Sequence, residues 1–464
     1  MGFLKNFSYS FSANLISLII RVTYVIILPR FIGVVDFGYW QLYFLYTQFL
    51  HCCHLGLVDG IYLKIGGILY KDINKKRLIP QLSVLTFLSL FFFGIINLYI
   101  LCFNLSPEKG YILFIISLDI IFMIPRTFFS IIFQATNMIK AFSISIITES
   151  LVSFFMIILF IIFNMYSFEI LILGDLLGRI CSLVISACFA PEFCKIVLPN
   201  KYNFKDAINN IKIGSFLLLA NMASVLMLSI FKLIIENKWG IVTFSKISLA
   251  LSITNMLMVV ISSASVVLYP ILKRINTNMF FNLYISLKNI CSVSLLIALL
   301  LFYPFSFILK WWLPNYIESI NYISLLAPLM LFESQTILIN NNFYKALRKE
   351  KIIFFINVFT ILLVLLLGIA LKCLDINLEI ALFGVLLISI AKFILGDYIL
   401  SKYFSNTISA FTIIMVLCGI GFSILNYLFK IENAGAIYIL LIIGIFAVYK
   451  DLIRKNYKFI KSII

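Results

Sequence analysis

The chain has 464 residues, 63% of them hydrophobic and only 12% charged, with a mean hydropathy of +1.11. A soluble chain carries about 25% charged residues and roughly 45–50% apolar ones, so lipid must solvate most of this surface. The formal net charge of +17 falls in short clusters between apolar runs, which excludes the continuous basic stripe of a nucleic-acid binder.

The first apolar run follows Lys5 and continues through Leu28 without an A-x-A cleavage site, so it reads as a retained span rather than a signal peptide. Runs of about 18 residues or more cross a hydrocarbon core of about 30 Å as helices. In chain order they fall at 10–32, 36–63, 80–103, 111–134, 142–164, 168–190, 211–235, 240–270, 283–309, 319–344, 352–373, 376–400, 407–429 and 434–449. The expected fold is therefore all-α and membrane-integral, with about fourteen transmembrane helices.

The connections alternate in charge. One set holds Lys71, Lys75, Lys76 and Arg77; Lys140; Lys195, Lys201 and Lys205; Lys273 and Arg274; Lys345, Arg348, Lys349 and Lys351; and Lys402. The C-terminal tail adds Lys450, Arg454, Lys455, Lys458 and Lys461, whereas the opposite loops hold only Lys109, Lys238, Lys310, Lys372 and Lys430. Basic excess marks the cytoplasmic side, which places both termini inside. Trp40, Trp239, Trp311 and Trp312 are expected near the outer interface.

A shift of 207 residues lays the first helix pair on the pair at 211–270. Gly33-Val34-Val35-Asp36-Phe37-Gly38 then falls on Gly240-Ile241-Val242-Thr243-Phe244-Ser245, Ala13-Asn14 on Ala220-Asn221, Thr47 on Thr254 and Tyr62 on Tyr269. Two six-helix units that begin on the same side of the membrane follow. Duplication of this kind is a transporter signature, with a substrate site expected between the halves. The implied divisions are 1–200, 201–405, and 406–464 with two additional helices and a basic tail.

Charged side chains in the apolar runs need a partner or a water-filled cavity. Asp175 and Arg179 stand one helical turn apart and suit mutual neutralisation; Asp119 and Arg126, seven apart, share a face. Lys246 and Lys392 lie near enough to helix ends to snorkel. Arg30 follows Pro29, where the first helix has the chemistry to bend. Arg21 has no acid three or four positions away. Lys232 lies in the matching helix of the second repeat, with Glu236 one turn on. Two cations on paired lead helices suit an anionic ligand, phosphate above all. Glu149 and Glu333 are candidate carriers of a coupling H+ or Na+.

His51-Cys52-Cys53-His54 resembles a ligand run, but on a helix its adjacent cysteines diverge by about 100°, so it reads as packing within the second span. The nine cysteines form no CxxC pair. No nucleotide-binding loop, Ser-His-Asp arrangement or zinc spacing is present, so neither a cofactor nor an enzymatic activity is expected.

Ser12-Ala13-Asn14, Leu28-Pro29-Arg30-Phe31-Ile32-Gly33, Phe37-Gly38-Tyr39-Trp40 and Leu55-Gly56-Leu57-Val58-Asp59-Gly60 resemble the lead hairpin of bacterial Wzx-type O-antigen and capsule flippases. These belong to the multidrug/oligosaccharidyl-lipid/polysaccharide (MOP) exporter superfamily. Gln134-Ala135-Thr136-Asn137 with Lys140 is similar to the same family, and a counterpart lies near Ala346 and Lys351. The motifs cover the first ~140 residues, the topology the whole chain. The resemblance implies two MATE-like six-helix lobes around a central cationic cavity, for which Arg21, Arg30, Arg126 and Lys232 are the candidates. It also implies an undecaprenyl-pyrophosphate-linked oligosaccharide as substrate and the bacterial inner membrane as location. Membrane lipid and polysaccharide polymerase machinery are the implied partners. Two rivals remain. A cation-coupled multidrug exporter of the same superfamily needs cavity carboxylates, yet the first helix carries none. A polysaccharide polymerase resembles chains with one long catalytic outer loop, and no outer loop here exceeds about fifteen residues.

Overall fold

The computed structural model describes residues 2–194, 201–274, 279–404 and 409–463, and all regular secondary structure among them is helical. The chain divides into two compact units, Met1–Met222 and Ala223–Ile464. The first contains α1 (Gly2–Phe31), α2 (Val34–Phe49), α3 (Leu57–Ile65), α4 (Lys75–Cys102), α5 (Pro107–Ala135), α6 (Ile139–Ile162) and α7 (Phe168–Phe189). Helix α8 (Lys201–Arg274) passes from the first unit into the second. The second continues with α9 (Phe280–Leu299), α10 (Phe302–Trp312), α11 (Ile317–Leu326), α12 (Leu329–Gln335) and α13 (Asn341–Ala346). Helices α14 (Glu350–Cys373), α15 (Leu378–Tyr403), α16 (Ala410–Leu428) and α17 (Ile431–Ile463) complete it.

Among the described residues, ten helices are long and apolar enough to cross a membrane, or twelve if two bent pairs count as spans. The remaining difference from fourteen apolar runs has a local cause. The run at 36–63 is α2 and α3 separated by a 3-10 turn at Leu50–His54, closed by left-handed Leu55 (φ 51°) and Gly56 (φ 83°). The Gly56 amide donates to Nδ1 of His54 at 3.2 Å. The His-Cys-Cys-His run thus sits at a helix break, where a continuous second span was expected. The runs at 211–235 and 240–270 are parts of α8 that meet at Gly240 (φ 80°, ψ 178°). Only glycine adopts this backbone cheaply.

In the first unit α5 is central. It packs on α4, α7, α2 and α3 and buries Ile112, Ile115, Ile116, Ile120, Met123 and Ile124 at helical spacing. Ser106 caps it by accepting a hydrogen bond from the Lys109 amide, and Pro107 occupies its first turn. Helices α6 and α7 approach closely: a Cβ on Gly178 would stand 2.2 Å from Ser153 Oγ and 2.8 Å from the Glu149 carbonyl. In lipid, where no hydrophobic force pulls helices together, such small residues permit close van der Waals contact. Trp40, expected at an interface, is buried against Tyr24, Phe37 and Phe44.

The second unit repeats the element series. Helices α6 and α14 each span 24 residues and begin 211 residues apart (350 − 139). Each follows a left-handed non-glycine residue, Asn137 (φ 61°) or Arg348 (φ 57°). Both turns close with the same bond: the Met138 amide to the Phe133 carbonyl, and the Lys349 amide to the Tyr344 carbonyl, each 2.8 Å. This is the hydrogen-bond pattern of a Schellman cap. Pro107 and Pro314 open corresponding helical segments 207 apart (314 − 107). Between these markers the second unit accommodates four more residues, in a stretch that contains a 46° bend between 326 and 329 and a π-helical turn at Thr336–Asn340.

Candidate functional site

Five charged residues from three helices converge in the first unit. Helix α5 supplies Asp119 and Arg126, α6 supplies Glu149, and α7 supplies Asp175 and Arg179. Arg179 is the hub: it pairs with Asp119, holds Asp175 at 2.8 Å and lies 3.8 Å from Glu149. Arg126 pairs with Glu149 and donates to Ser182 Oγ at 3.0 Å. Ser182 in turn bonds Ser145 at 2.8 Å, and Ser145 bonds Ser186 at the same distance. Tyr43 of α2 donates to Asp175 at 3.1 Å, and its ring lies 5.8 Å from the Arg179 guanidinium.

The sequence places these groups simply. Asp175 and Arg179 are four apart on α7, and Gly178 between them brings α7 against the Glu149 turn of α6. The pairing expected between Asp119 and Arg126 is absent; Asp119 goes to Arg179 and Arg126 to Glu149. The formal count is two cations against three anions, a net of −1 when all are ionised. Asp119 is fully buried, and its Oδ1 has no hydrogen-bond partner among the described residues. Buried charge that is not balanced is costly.

In the second unit Lys392, Lys288 and Lys246 each take one carboxylate. Lys392 of α15 holds Glu333 of α12 at 2.8 and 3.1 Å. Lys392 is thus buried in a pair rather than snorkelling to a helix end. Lys288 of α9 pairs with Asp397 of α15, to which the Tyr284 hydroxyl also donates. Thr412 supplies a further bond to Asp397 at 2.9 Å. Lys246 pairs with Glu318 at 2.8 Å, where snorkelling was also expected.

The other candidate cations stand elsewhere. Arg21 and Arg30 are exposed on α1, which stays helical through Pro29 to Phe31. No described carboxylate lies within 4 Å of Arg21, whereas Arg126 is committed to Glu149. Lys232 is partly buried on α8.

Sequence reasoning missed Tyr43 and Lys288. A lone lysine inside the apolar run of α9 was the available signal for Lys288; a tyrosine in an aromatic-rich helix gives none.

The chain is similar over 97% of its length to the whole of a lipid II flippase MurJ in an inward closed conformation, with a TM-score of 0.64 and 14% identity. The fold is the one seen in that flippase. An inward-facing multidrug resistance MATE family transporter of the MOP superfamily is also similar, with a TM-score of 0.60 and 12% identity over 85% of this chain and 99% of that one. No protein-family model matches the chain, and no curated protein matches it in sequence.

Proposed function

We propose that the chain is a flippase that moves an undecaprenyl-pyrophosphate-linked oligosaccharide, an O-antigen or capsule repeat unit, across the bacterial inner membrane by alternating access. The observation that carries this reading is Arg21. It is exposed on a membrane helix with no described carboxylate within ion-pair distance, and so is open to an anionic ligand. A pyrophosphate offers the oxygens that a guanidinium grips in a fork. Arg30 and Lys232 remain candidates for the same role, whereas Arg126 serves its ion pair with Glu149. The fold shared with a lipid II flippase supports the choice of a lipid-linked substrate. Both termini face the cytoplasm, following the basic loops, and polysaccharide polymerase machinery consumes the flipped unit.

Coupling to H+ or Na+ is assigned to the first-unit cluster around Glu149, which carries excess negative charge. Glu333 is matched by Lys392 and is the weaker carrier. That same cluster favours the second reading, a cation-coupled drug exporter, as does the MATE likeness; the absence of any acid on α1 opposes it.

The test is complementation of a deletion strain with wild type and Arg21→Ala. The proposal predicts that the deletion accumulates complete lipid-linked units and loses surface glycan, and that Arg21→Ala fails to restore glycan at normal protein level. Unchanged glycan in a deletion strain lacking any redundant flippase would overturn it.

A further inference from the structure

Helix α17 has 33 residues, about 50 Å at 1.5 Å per residue, longer than a hydrocarbon core of about 30 Å. Its first part is nearly free of charge; its last part carries Lys450, Asp451, Arg454, Lys455 and Lys458. This basic part is docked rather than loose. Asn456 is buried and accepts a hydrogen bond from Ser286 of α9 at 3.3 Å, and Phe459 packs on the core cluster around Tyr284 and Phe343.

A cavity of about 400 Å³ opens beside this docked turn, lined by Ile290 of α9 and by Ile453, Arg454, Tyr457 and Lys458 of α17. Arg454 and Lys458 are exposed and one turn apart. Like charges at that spacing repel, and among the described residues no carboxylate lies within 4 Å of either. The rest of the lining is apolar or aromatic. Further toward the start of α17, on the face that Arg454 and Lys458 share, Ala447, Ile443 and Leu440 are exposed beyond Asp451. A pair of cations at the end of an exposed apolar strip matches an amphiphile with an anionic head.

We propose that the α9/α17 cavity binds the headgroup of an anionic phospholipid. Arg454 and Lys458 hold the phosphate, Tyr457 and the two isoleucines cover the glycerol region, and the acyl chains lie along the exposed strip of α17. Soluble phosphate has the same charge but makes no use of the apolar lining or the strip.

The experiment measures lipid binding to the purified full chain in neutral detergent, by native mass spectrometry and by thermal shift. The probes are phosphatidylglycerol, phosphatidylcholine and inorganic phosphate. Wild type is expected to bind phosphatidylglycerol selectively and to be stabilised by it. The double variant R454Q/K458Q is expected to bind it about thirtyfold more weakly, at about 1 kcal/mol per basic residue. The charge-matched control K430A/K455A, which spares the cavity, is expected to bind as wild type does. Should R454Q/K458Q fold poorly, Ile290→Trp fills the cavity without altering charge and is expected to lower binding in the same way. Equal binding by R454Q/K458Q and wild type, or equal loss in the K430A/K455A control, would overturn the site. Equal stabilisation by inorganic phosphate would overturn the phospholipid assignment.

Discussion

The two units place ionic groups at matching positions and use them differently. In the first, Arg126 of α5 contacts Ser182 of α7; in the second, Glu333 of α12 contacts Lys392 of α15. Glu333 lies 207 residues after Arg126 (333 − 126), and Lys392 lies 210 after Ser182 (392 − 182), the same interval that separates Glu169 and Glu379, second residues of α7 and α15. One contact carries a cation and a hydroxyl, the other a complete ion pair. The first unit therefore recruits Glu149 and Arg179 into a shared network with an extra negative charge. The second holds Lys288 and Lys392 in separate pairs. The difference teaches that a duplicated frame can hold isolated ion pairs in one copy and a shared, unbalanced charge network in the other.

The largest effect is expected where a lock is opened. Lys288→Ala leaves Asp397 fully buried with its cation gone, at a cost of about 3–5 kcal/mol. The check is the thermal unfolding midpoint in detergent. The apolar double variant K288M/D397L is expected to recover most of the loss, and a double variant no more stable than K288A would break the lock reading.

The next prediction separates the two clusters functionally. Glu149→Gln removes the excess charge while keeping a hydrogen-bond acceptor for Arg126, and is expected to change stability by less than about 1 kcal/mol. In vesicles it should abolish the response of transport to an imposed pH or sodium gradient, whereas Glu333→Gln keeps that response and loses stability instead. Reversed outcomes would move the coupling group to the second unit.

The smallest effect lies outside the spans. Lys75 donates to Glu192 at 2.6 Å and lies over the Tyr70 ring, whose hydroxyl also donates to Glu192 at 3.2 Å. The Lys75 hydrogen bond holds the Glu192 carboxyl below its ordinary range. A depressed carboxylate stabilises the fold above its unfolded pKa, and that contribution is lost as pH falls through the folded value. Because the pair is partly exposed, Lys75→Met is expected to cost about 0.2–1 kcal/mol at pH 7, with the difference from wild type vanishing in acid. A difference that persists below pH 3 would mean that packing, not charge, is the source.

Much of the frame was legible because it rests on local signals. Apolar runs give the helices, Gly33 and Gly240 mark the turns of the repeat, and the spacing of Asp175 and Arg179 gives their pair. What stayed hidden depends on chain-distant contacts. Arg126 and Glu149 are 23 residues apart and Arg179 and Asp119 are 60 apart, so no helical spacing joins them. Lys392 near a helix end invites a snorkelling reading, but its partner Glu333 arrives from another helix. The break at Leu55-Gly56 was masked by the unbroken apolar character of the second run.

The most direct test of the central claim is a flipping assay in proteoliposomes, using a fluorescent pyrophosphate-linked prenyl sugar and measuring its loss from one leaflet. The account predicts that wild type exchanges the probe between leaflets far faster than protein-free vesicles, that Arg21→Ala falls to the protein-free rate, and that a cationic dye is not moved. Transport of the dye with no exchange of the lipid-linked sugar would contradict it.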